Sequence, residues 1–291
     1  AERLVEGFGA VTTASAPWVG WYARALGVRM GAHVDLHSVP PVTGMLRLGR
    51  ECSVEPEVDL SGYWVDGDTV HLGQVTIGAG ATIGARSVLY PGAEVGEGTD
   101  VAAGSAVHGR TGDGEYWVGS PAVRAHEARH PWPPDRPSGT GRRWLLAYGL
   151  AGTGIAALPA LAAMSGLLLV GRAVAGTDSL AAALGPALLA AIGGTLLALV
   201  TYALLVLVCV RLLGRGLRAG YHPTRSAAGV RAWSVERLMD SARTVLFPLY
   251  SSVATPAWLR LLGARVGHGT EISTVVGIPS MMRLKDGAFL A

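Results

Sequence analysis

The chain has 291 residues, of which 50% are hydrophobic and 15% are charged, with 41 glycines and two cysteines. The apolar content excludes a disordered chain, glycine without a strict three-residue period excludes collagen, and two cysteines exclude a disulfide scaffold. The net charge of +3 hides an asymmetry, because 16 acidic and 9 basic residues lie in 1–135, against 5 acidic and 15 basic in 136–291. The basic half is also the more hydrophobic one, which indicates a membrane rather than nucleic acid as partner.

A six-residue period follows an N-terminal segment, 1–29, that we expect to be helical or interfacial. Every sixth residue is aliphatic in two consecutive frames: Met30, Leu36, Val42, Leu48, Val54 and Leu60, then Ile77, Ile83, Leu89, Val95, Val101 and Val107. Such a period predicts one short strand and one turn per repeat, with three strands to a triangular coil. We therefore predict a four-coil parallel β-helix over 30–122, with glycine or small polar residues such as Gly78 at the corners, where glycine permits a positive φ.

The two frames are out of register with each other. The step from Leu60 to Ile77 falls one position short of three full hexads. We therefore expect the intervening segment, Ser61–Thr76, to protrude from the β-helix as a loop.

Two long uncharged segments follow a Pro- and Arg-rich linker, 123–143. Residues 144–170 and 179–210 contain no charged side chain, and each exceeds the ~20 apolar residues that cross a bilayer. The short turn between them predicts an antiparallel transmembrane α-helical hairpin. Arginines cluster outside it, whereas the turn holds only Arg172, so the positive-inside rule predicts an integral membrane protein with cytoplasmic β-helix domains. The flanking arginines are Arg142, Arg143, Arg211, Arg215 and Arg218.

The chain then repeats itself. After a juxtamembrane helical segment, 211–261, residues 262–291 align without a gap to 26–55, with Leu262 matched to Leu26. This predicts the start of a second β-helix, truncated after five hexads with an open strand edge. Because the chain also lacks an initiator Met, we expect it to be part of a longer protein.

The hexads and the stretch Gly119-Ser120-Pro121-Ala122 resemble the hexapeptide-repeat acyltransferase superfamily. The resemblance implies a left-handed coil that this stretch closes, beside the site of an acyl thioester. The alternation of triangular β-helices, or prisms, with a pair of membrane helices is similar to the C-terminal tandem region of membrane-bound nonribosomal peptide synthetases of the ε-poly-lysine synthetase type. That narrower resemblance implies amide formation between an amino acid or growing chain and an aminoacyl phosphopantetheine thioester. A carrier domain outside this chain would deliver the thioester, with an adenylation domain as a further partner.

Amide formation requires a base for the attacking amine, and histidine is the usual one near neutral pH. Of eight histidines, His71 and His108 are the candidates, because the others lie in the linker, beside the hairpin or at positions that differ between the two copies. We expect Asp66 and Asp68 to orient His71, and His108 to lie near an exit loop that bears Trp117. For each histidine taken singly, an ordinary surface role stays the alternative.

Acidic and aromatic residues in the loop predict a site for a cationic amine. Asp59, Asp66 and Asp68 supply carboxylates, and Tyr63 and Trp64 supply aromatic rings, of which Trp64 offers a cation–π face. A solvated loop is the alternative, since Asp and Gly favour turns. We expect the thioester to contact Trp117, Gly119, Ser120 and Pro121. We expect no metal site, because no three histidines converge, and no nucleic-acid partner.

Three hypotheses of function remain open. The first is a condensation domain of a membrane peptide synthetase. The second is a membrane-tethered transferase that uses acyl-CoA, and the third is a non-catalytic scaffold. An adenylation domain and a carrier serine upstream would distinguish the first from the second, and unchanged peptide formation in His71 and His108 variants would favour the third.

Overall fold

The computed structural model describes residues 17–41, 43–129, 142–250, 252–273, 275 and 277–290. The chain forms two compact units, 1–135 and 136–291. In the first unit, one helix, α1 (Pro17–Ala25), precedes a series of short strands. The strands are β1 (Arg29–Met30), β2 (Asp35–Leu36), β3 (Leu46–Leu48), β4 (Ser53–Val54), β5 (Tyr63–Asp66), β6 (Thr69–Leu72), β7 (Val75–Ile77), β8 (Thr82–Ile83), β9 (Val88–Leu89), β10 (Glu94–Val95), β11 (Asp100–Val101), β12 (Ala106–Val107), β13 (Glu115–Val118) and β14 (Val123–Glu127).

Parallel strands stack into three faces of a prism. The first face consists of β1, β3, β7 and β10; the second of β2, β4, β8, β11 and β13; the third of β9 and β12. A bridge from Asp59 to Val88 extends the third face. Met30 pairs with Leu48, three hexads later, and Ile77 pairs with Val95 at the same spacing. The insertion lengthens the step wherever the pairing spans it, as between β3 and β7 and between β4 and β8. One coil therefore takes three hexads, which confirms the arrangement that the six-residue period predicts.

The aliphatic residues of the hexads fill the prism. Ten of them are at most 4% exposed: Leu36, Leu48, Val54, Leu60, Ile77, Ile83, Leu89, Val95, Val101 and Val107. Residues two positions earlier also point inward, among them Cys52, Ala81 and Ala93. Burial of each large aliphatic side chain contributes roughly 1.5–3 kcal/mol, so the core runs the whole length of the prism. Val42 lies outside the described residues.

The glycines directly after the aliphatic residue do not use the positive φ that glycine permits at a corner. Gly78 does not have a positive φ. A Cβ at Gly78 would instead lie 2.6 Å from the backbone nitrogen of Glu97 in the next coil. Close approach of successive coils therefore requires glycine there. Positive φ occurs two residues later, at Gly80 (66°) and at the equivalent Arg86 (60°).

The predicted insertion is a two-stranded hairpin rather than an irregular loop. Strands β5 and β6 pair antiparallel, and all their residues are exposed. The Gly73 amide donates to the Gly62 carbonyl at 2.9 Å and closes the base of the hairpin.

The prism also continues past the predicted start of the linker at residue 123. Strand β14 returns antiparallel along β13 and pairs Glu115 with Glu127. Strand β14 therefore belongs to the prism, because it covers the edge that β13 would otherwise leave open.

The second unit begins with two long helices, α2 (Arg142–Val174) and α3 (Leu180–Gly214). Both are long and apolar enough to cross a membrane, with mean hydropathies of 1.9 and 2.6, and little of either is buried within the unit. Pro159 and Pro186 lie inside them. The helices come close at Gly166 and Gly194, where a Cβ on either glycine would meet the backbone of the other.

Shorter helices follow and pack against this pair. They are α4 (Ala227–Val245), α5 (Phe247–Tyr250) and α6 (Thr255–Leu262). The Tyr202 hydroxyl of α3 lies 2.6 Å from Ser241 Oγ of α4, and Tyr148 of α2 meets Trp233 edge-on at 5.2 Å. Helix α4 therefore lies along one end of the hairpin.

The internal repeat is visible in how each copy passes from helix to strand. In the first, Gly27 (φ 93°) donates to the Arg24 carbonyl at 3.0 Å; in the second, Gly263 (φ 111°) donates to the Arg260 carbonyl at 3.1 Å. The strands that follow are β15 (Arg265–Val266), β16 (Glu271–Ile272), β17 (Arg283–Leu284) and β18 (Phe289–Leu290), with a 3-10 turn at Pro279–Met281. β15 pairs parallel with β17 and β16 with β18, at the same spacing of three hexads as the first coils of the prism.

Candidate functional site

The hairpin of β5 and β6 places His71 directly opposite Trp64. The cross-strand pairs are Trp64 with His71 and Asp66 with Thr69. Cross-strand partners and alternate residues share one side of a hairpin, so these four side chains lie on one side of it. Tyr63 lies on the other side, paired with Leu72.

Three aromatic rings form a column at one corner of the prism. The Trp64 ring lies 5.0 Å from that of Tyr90, and the Tyr90 ring lies 3.6 Å from that of His108, centroid to centroid. Tyr90 and His108 follow the buried residues Leu89 and Val107 in consecutive coils, so the stacking of β9 on β12 brings them together. We call Trp64, Tyr90 and His108 the aromatic column.

Tyr90 is the member of the column that acid–base chemistry alone does not single out in the sequence. Its signal is in the sequence, because Tyr90 precedes His108 by three hexads, which is one full coil. Trp64 could not be added from spacing, since it reaches the column only through the path of the inserted hairpin.

The acidic residues of the hairpin do not orient His71. Asp66 and Asp68 lie at its exposed tip. Within the described part of the chain, no hydrogen bond joins either carboxylate to the His71 ring. Asp59 Oδ1 accepts a hydrogen bond from the Ser61 amide at 2.9 Å, at the start of the insertion. The carboxylates therefore border the hairpin without holding its histidine.

The Gly119–Ala122 turn closes the third face beside His108. The Gly119 carbonyl accepts from the Ala106 amide at 2.9 Å, and the Ala122 amide donates to the Ala106 carbonyl at 2.7 Å. The Gly119 amide donates to Ser105 Oγ at 3.2 Å, and the peptide bond between Ser120 and Pro121 is cis. Since His108 is two residues beyond Ala106, the turn and the column share one edge of the prism.

Trp117 is held within a polar cluster by Glu115. The Trp117 indole donates to Glu115 Oε2 at 2.8 Å, which also accepts from the Gly112 amide at 2.8 Å. Arg124 Nε lies 2.9 Å from the other carboxylate oxygen. These bonds fix the indole next to the closing turn.

Another histidine has a carboxylate partner. His37 Nε2 lies 3.2 Å from Asp35 Oδ1 on the second face. Sequence comparison of the two copies sets His37 aside, since Ser273 is its counterpart, but the pair has the geometry in which a carboxylate orients an imidazole. His126 stacks on Tyr116 at 4.5 Å, and His130 lies outside the described residues.

The thiol of Cys52 lies in the interior of the prism. Cys52 is 1% exposed, and burial, followed by the nearby charge of Asp35, raises the pKa of its thiol to about 12, although a backbone hydrogen bond opposes the shift. In the described part of the chain, no three His, Cys, Asp or Glu side chains converge to hold a metal ion.

Coils of three hexads in parallel register give the first unit the hexapeptide-repeat transferase fold. Residues 74–109 supply two coils of the prism, and Tyr90 and His108 of the aromatic column lie among them. This segment matches the family described as bacterial transferase hexapeptide (six repeats). The chain carries transferase-type hexapeptide repeats and is similar over most of its length to a poly-ornithine synthetase. That relative is the delta-poly-L-ornithine synthetase of Acinetobacter baumannii (strain AB307-0294), 26% identical over 287 residues. The match covers 93% of this chain but only 21% of the relative.

Solved structures with local similarity include acyltransferases. A point mutant of AntD, an N-acyltransferase from Bacillus cereus in complex with dTDP-4-amino-4,6-dideoxyglucose and coenzyme A, is 20% identical with a TM-score of 0.28. That match covers 29% of this chain and 53% of AntD. The serine acetyltransferase of Brucella abortus strain S19 is 26% identical with a TM-score of 0.30, over 35% of this chain and 41% of the enzyme.

Proposed function

We propose that the prism transfers an aminoacyl group from a phosphopantetheine thioester to an amine, as a condensation domain of a membrane peptide synthetase of the ε-poly-lysine synthetase type. The observation that carries the proposal is the stack of His108 on Tyr90, at the edge that the Gly119–Ala122 turn closes. The similarity to the poly-ornithine synthetase supports the choice of substrate class, because it runs through both units of the chain.

The chemistry requires a proton acceptor next to the thioester carbon. The amine nitrogen attacks the thioester carbonyl, the C–N bond forms, the C–S bond breaks, and the thiolate leaves. His108 takes the proton that the amine loses and returns it to the thiolate sulfur. Its ring is exposed on one side and stacked on the other, so it has a fixed plane and open access. Trp117, Gly119, Ser120 and Pro121 would border the pantetheine arm.

The acceptor site lies on the hairpin of β5 and β6. Trp64 offers an aromatic face to an ammonium group, with His71 opposite it, while Asp59, Asp66 and Asp68 provide negative charge around the hairpin. Tyr63 adds an exposed ring on its other side. This combination favours an amino acid with a cationic side chain, as in the ornithine polymer for which the relative is named.

The helical hairpin would anchor the domain in the lipid bilayer. We propose that α2 and α3 cross the membrane with both flanks cytoplasmic, with a left-handed coil in the prism and a second prism beginning at residue 262. Carrier and adenylation domains would be partners outside this chain. A reporter fused after Ala219 is expected to be cytoplasmic, and a translocated reporter would refute the topology.

The test compares two donors on the same purified chain. Ornithine as its phosphopantetheine thioester, or acetyl-CoA, is mixed with free ornithine, and amide product and released thiol are measured by mass spectrometry. Dipeptide in stoichiometric proportion to thiol supports the proposal. Transfer from acetyl-CoA alone favours the acyl-CoA-dependent transferase, and no transfer from either donor favours the scaffold.

A further inference from the structure

Two arginines lie opposite each other on the first face of the prism. Arg29 of β1 is in register with Arg47 of β3, and both side chains are exposed. Parallel strands lie ~4.8 Å apart, and in-register partners leave the sheet on the same side. The two guanidinium groups therefore project side by side from one flat surface.

Neither arginine is neutralised within the described part of the chain. Two other exposed arginines of the prism do have partners, since Arg86 contacts Glu57 at 2.6 Å and Arg110 contacts Glu94 at 2.8 Å. No described carboxylate lies within ion-pair distance of Arg29 or Arg47. Residues 1–135 hold 16 acidic side chains, so partners are not scarce in this unit. Like charges directly opposite each other destabilise a sheet, which makes this arrangement costly in the free protein.

The second copy repeats the same arrangement. Arg265 of β15 is in register with Arg283 of β17, and both are exposed. Among the residues that the structure describes, these two also have no carboxylate at ion-pair distance. Each pair lies on the first two strands that stack after a helix, at equivalent positions of the two aligned copies. The same unfavourable arrangement of two arginines therefore occurs twice in the chain, once in each copy of the repeat.

A phosphate group matches this surface. A guanidinium donates two parallel hydrogen bonds to a phosphate or a carboxylate. A phosphate has more oxygens and a higher charge than a carboxylate, so it can accept hydrogen bonds from two adjacent guanidinium groups at once. We propose that the Arg29/Arg47 pair and the Arg265/Arg283 pair each bind the phosphate of a ligand. Two sources carry this chemistry, the phosphate of a phosphopantetheine arm and that of an anionic lipid headgroup. Only the first source depends on the transfer function proposed above.

The test measures binding rather than turnover, so its failure is distinct from failure of the transfer reaction. The full chain, purified in an uncharged detergent, is titrated calorimetrically with phosphopantetheine and separately with dihexanoyl phosphatidylglycerol. The variants are Arg29→Gln with Arg47→Gln, and Arg265→Gln with Arg283→Gln. The control is Arg86→Gln with Arg110→Gln, which removes the same charge from arginines that already have carboxylate partners.

Each pair variant is expected to weaken the affinity of one site about tenfold or more, because charge-assisted hydrogen bonds are lost. The control is expected to change it by less than about twofold. Affinity for phosphopantetheine supports the proposal and identifies the carrier arm, whereas affinity for phosphatidylglycerol alone supports it and identifies a lipid. Equal weakening in the control, or no saturable binding of either probe to the wild type, would overturn it.

Discussion

The imidazole of His108 stacks on the ring of Tyr90, with centroids 3.6 Å apart and planes inclined by 23°. The residues before them, Val107 and Leu89, are 0% and 2% exposed and stack inside the prism. The orientation of the imidazole therefore comes from the register of two coils. Trp64 approaches the other side of Tyr90 at 5.0 Å, which couples the inserted hairpin to the same column.

Tyr90→Leu is expected to lower kcat for aminoacyl transfer by up to about tenfold, because the stacked pair contributes ~0.5–1.5 kcal/mol to the position of the imidazole. Tyr90→Phe keeps the ring and should keep the rate. Steady-state kinetics of both variants, with the fold checked by circular dichroism, test this. A Tyr90→Leu enzyme with wild-type kcat would show that stacking does not position His108.

Trp64→Ala is expected to raise KM for a cationic amine acceptor about tenfold, because it removes a cation–π face. Val65→Ala is the matched control, since Val65 is 58% exposed on the opposite side of the same strand. Initial rates against acceptor concentration give both constants. If Val65→Ala raises KM as much as Trp64→Ala, the hairpin acts through its stability rather than through the indole.

Cys52 is expected to resist thiol reagents in the folded protein. With its pKa raised from 9.0 to about 12, its thiolate fraction near neutral pH falls about a thousandfold, and burial blocks access as well. In a Cys209→Ser background, labelling with a chromogenic disulfide should occur only after denaturation. Rapid labelling of the native protein would place Cys52 outside the core.

The same shift predicts an alkaline loss of stability. The pKa of Cys52 is higher in the folded state than in the unfolded state, so the protonated thiol favours the folded state. Its contribution to the free energy of unfolding is complete below about pH 9 and is lost as the pH rises towards about 12. Cys52→Ala, which introduces the residue found at the equivalent Ala81 and Ala93, should flatten this part of the stability profile. An unchanged alkaline slope in thermal unfolding would contradict the assignment.

The bilayer is expected to cover only part of the helical hairpin. Helix α3 has 35 residues, or ~52 Å, whereas the hydrocarbon core is ~30 Å thick. Helix α4, which touches Tyr202 through Ser241, bears a buried Arg237 that pairs with Glu236 and Asp240. Because such charges are costly in hydrocarbon, the surplus length of α3 should lie at this end, outside the membrane.

Spin labels on α3 test this boundary. Leu196→Cys and Leu212→Cys are both on exposed positions of the helix. In reconstituted protein, the label at 196 should be shielded from a water-soluble relaxation agent and the label at 212 should be accessible. Equal shielding of both labels would place α4 and its charges within the membrane.

The prism could be predicted from the sequence because its signal is repeated at every sixth residue. Each interior position makes the same demand for an aliphatic side chain, so a departure at any single position does not hide the pattern. The long apolar helices could be predicted for a similar reason, since α2 and α3 carry no charge over the length of a span. The corner glycines show the limit of this reasoning. Glycine is required at these corners because the next coil lies so close, as at Gly78 beside Glu97. A local sequence does not show which part of the chain forms that next coil.

The site was less predictable than the fold, because it depends on contacts between coils and across an insertion. The sequence points to His108 and Trp64 through their chemistry, but not to Tyr90, which joins them. The expected orientation of His71 by Asp66 and Asp68 fails because strand pairing places His71 opposite Trp64 and leaves both carboxylates at the tip. Strand β14, Val123–Glu127, lies where the sequence predicts a linker, and because all its residues are exposed, no buried aliphatic position marks it.

His108 is the proposed base for aminoacyl transfer on the prism, and a single-turnover experiment tests this role most directly. Formation of the amide from an aminoacyl phosphopantetheine thioester and a free amino acid is measured with wild type, His108→Gln and His37→Gln. His37 is the matched control, because it has a carboxylate partner at 3.2 Å but lies on another face of the prism. The rate constant is expected to fall about 100-fold or more in His108→Gln and to stay within about twofold of wild type in His37→Gln. A wild-type rate in His108→Gln, or a larger loss in His37→Gln than in His108→Gln, would contradict the account.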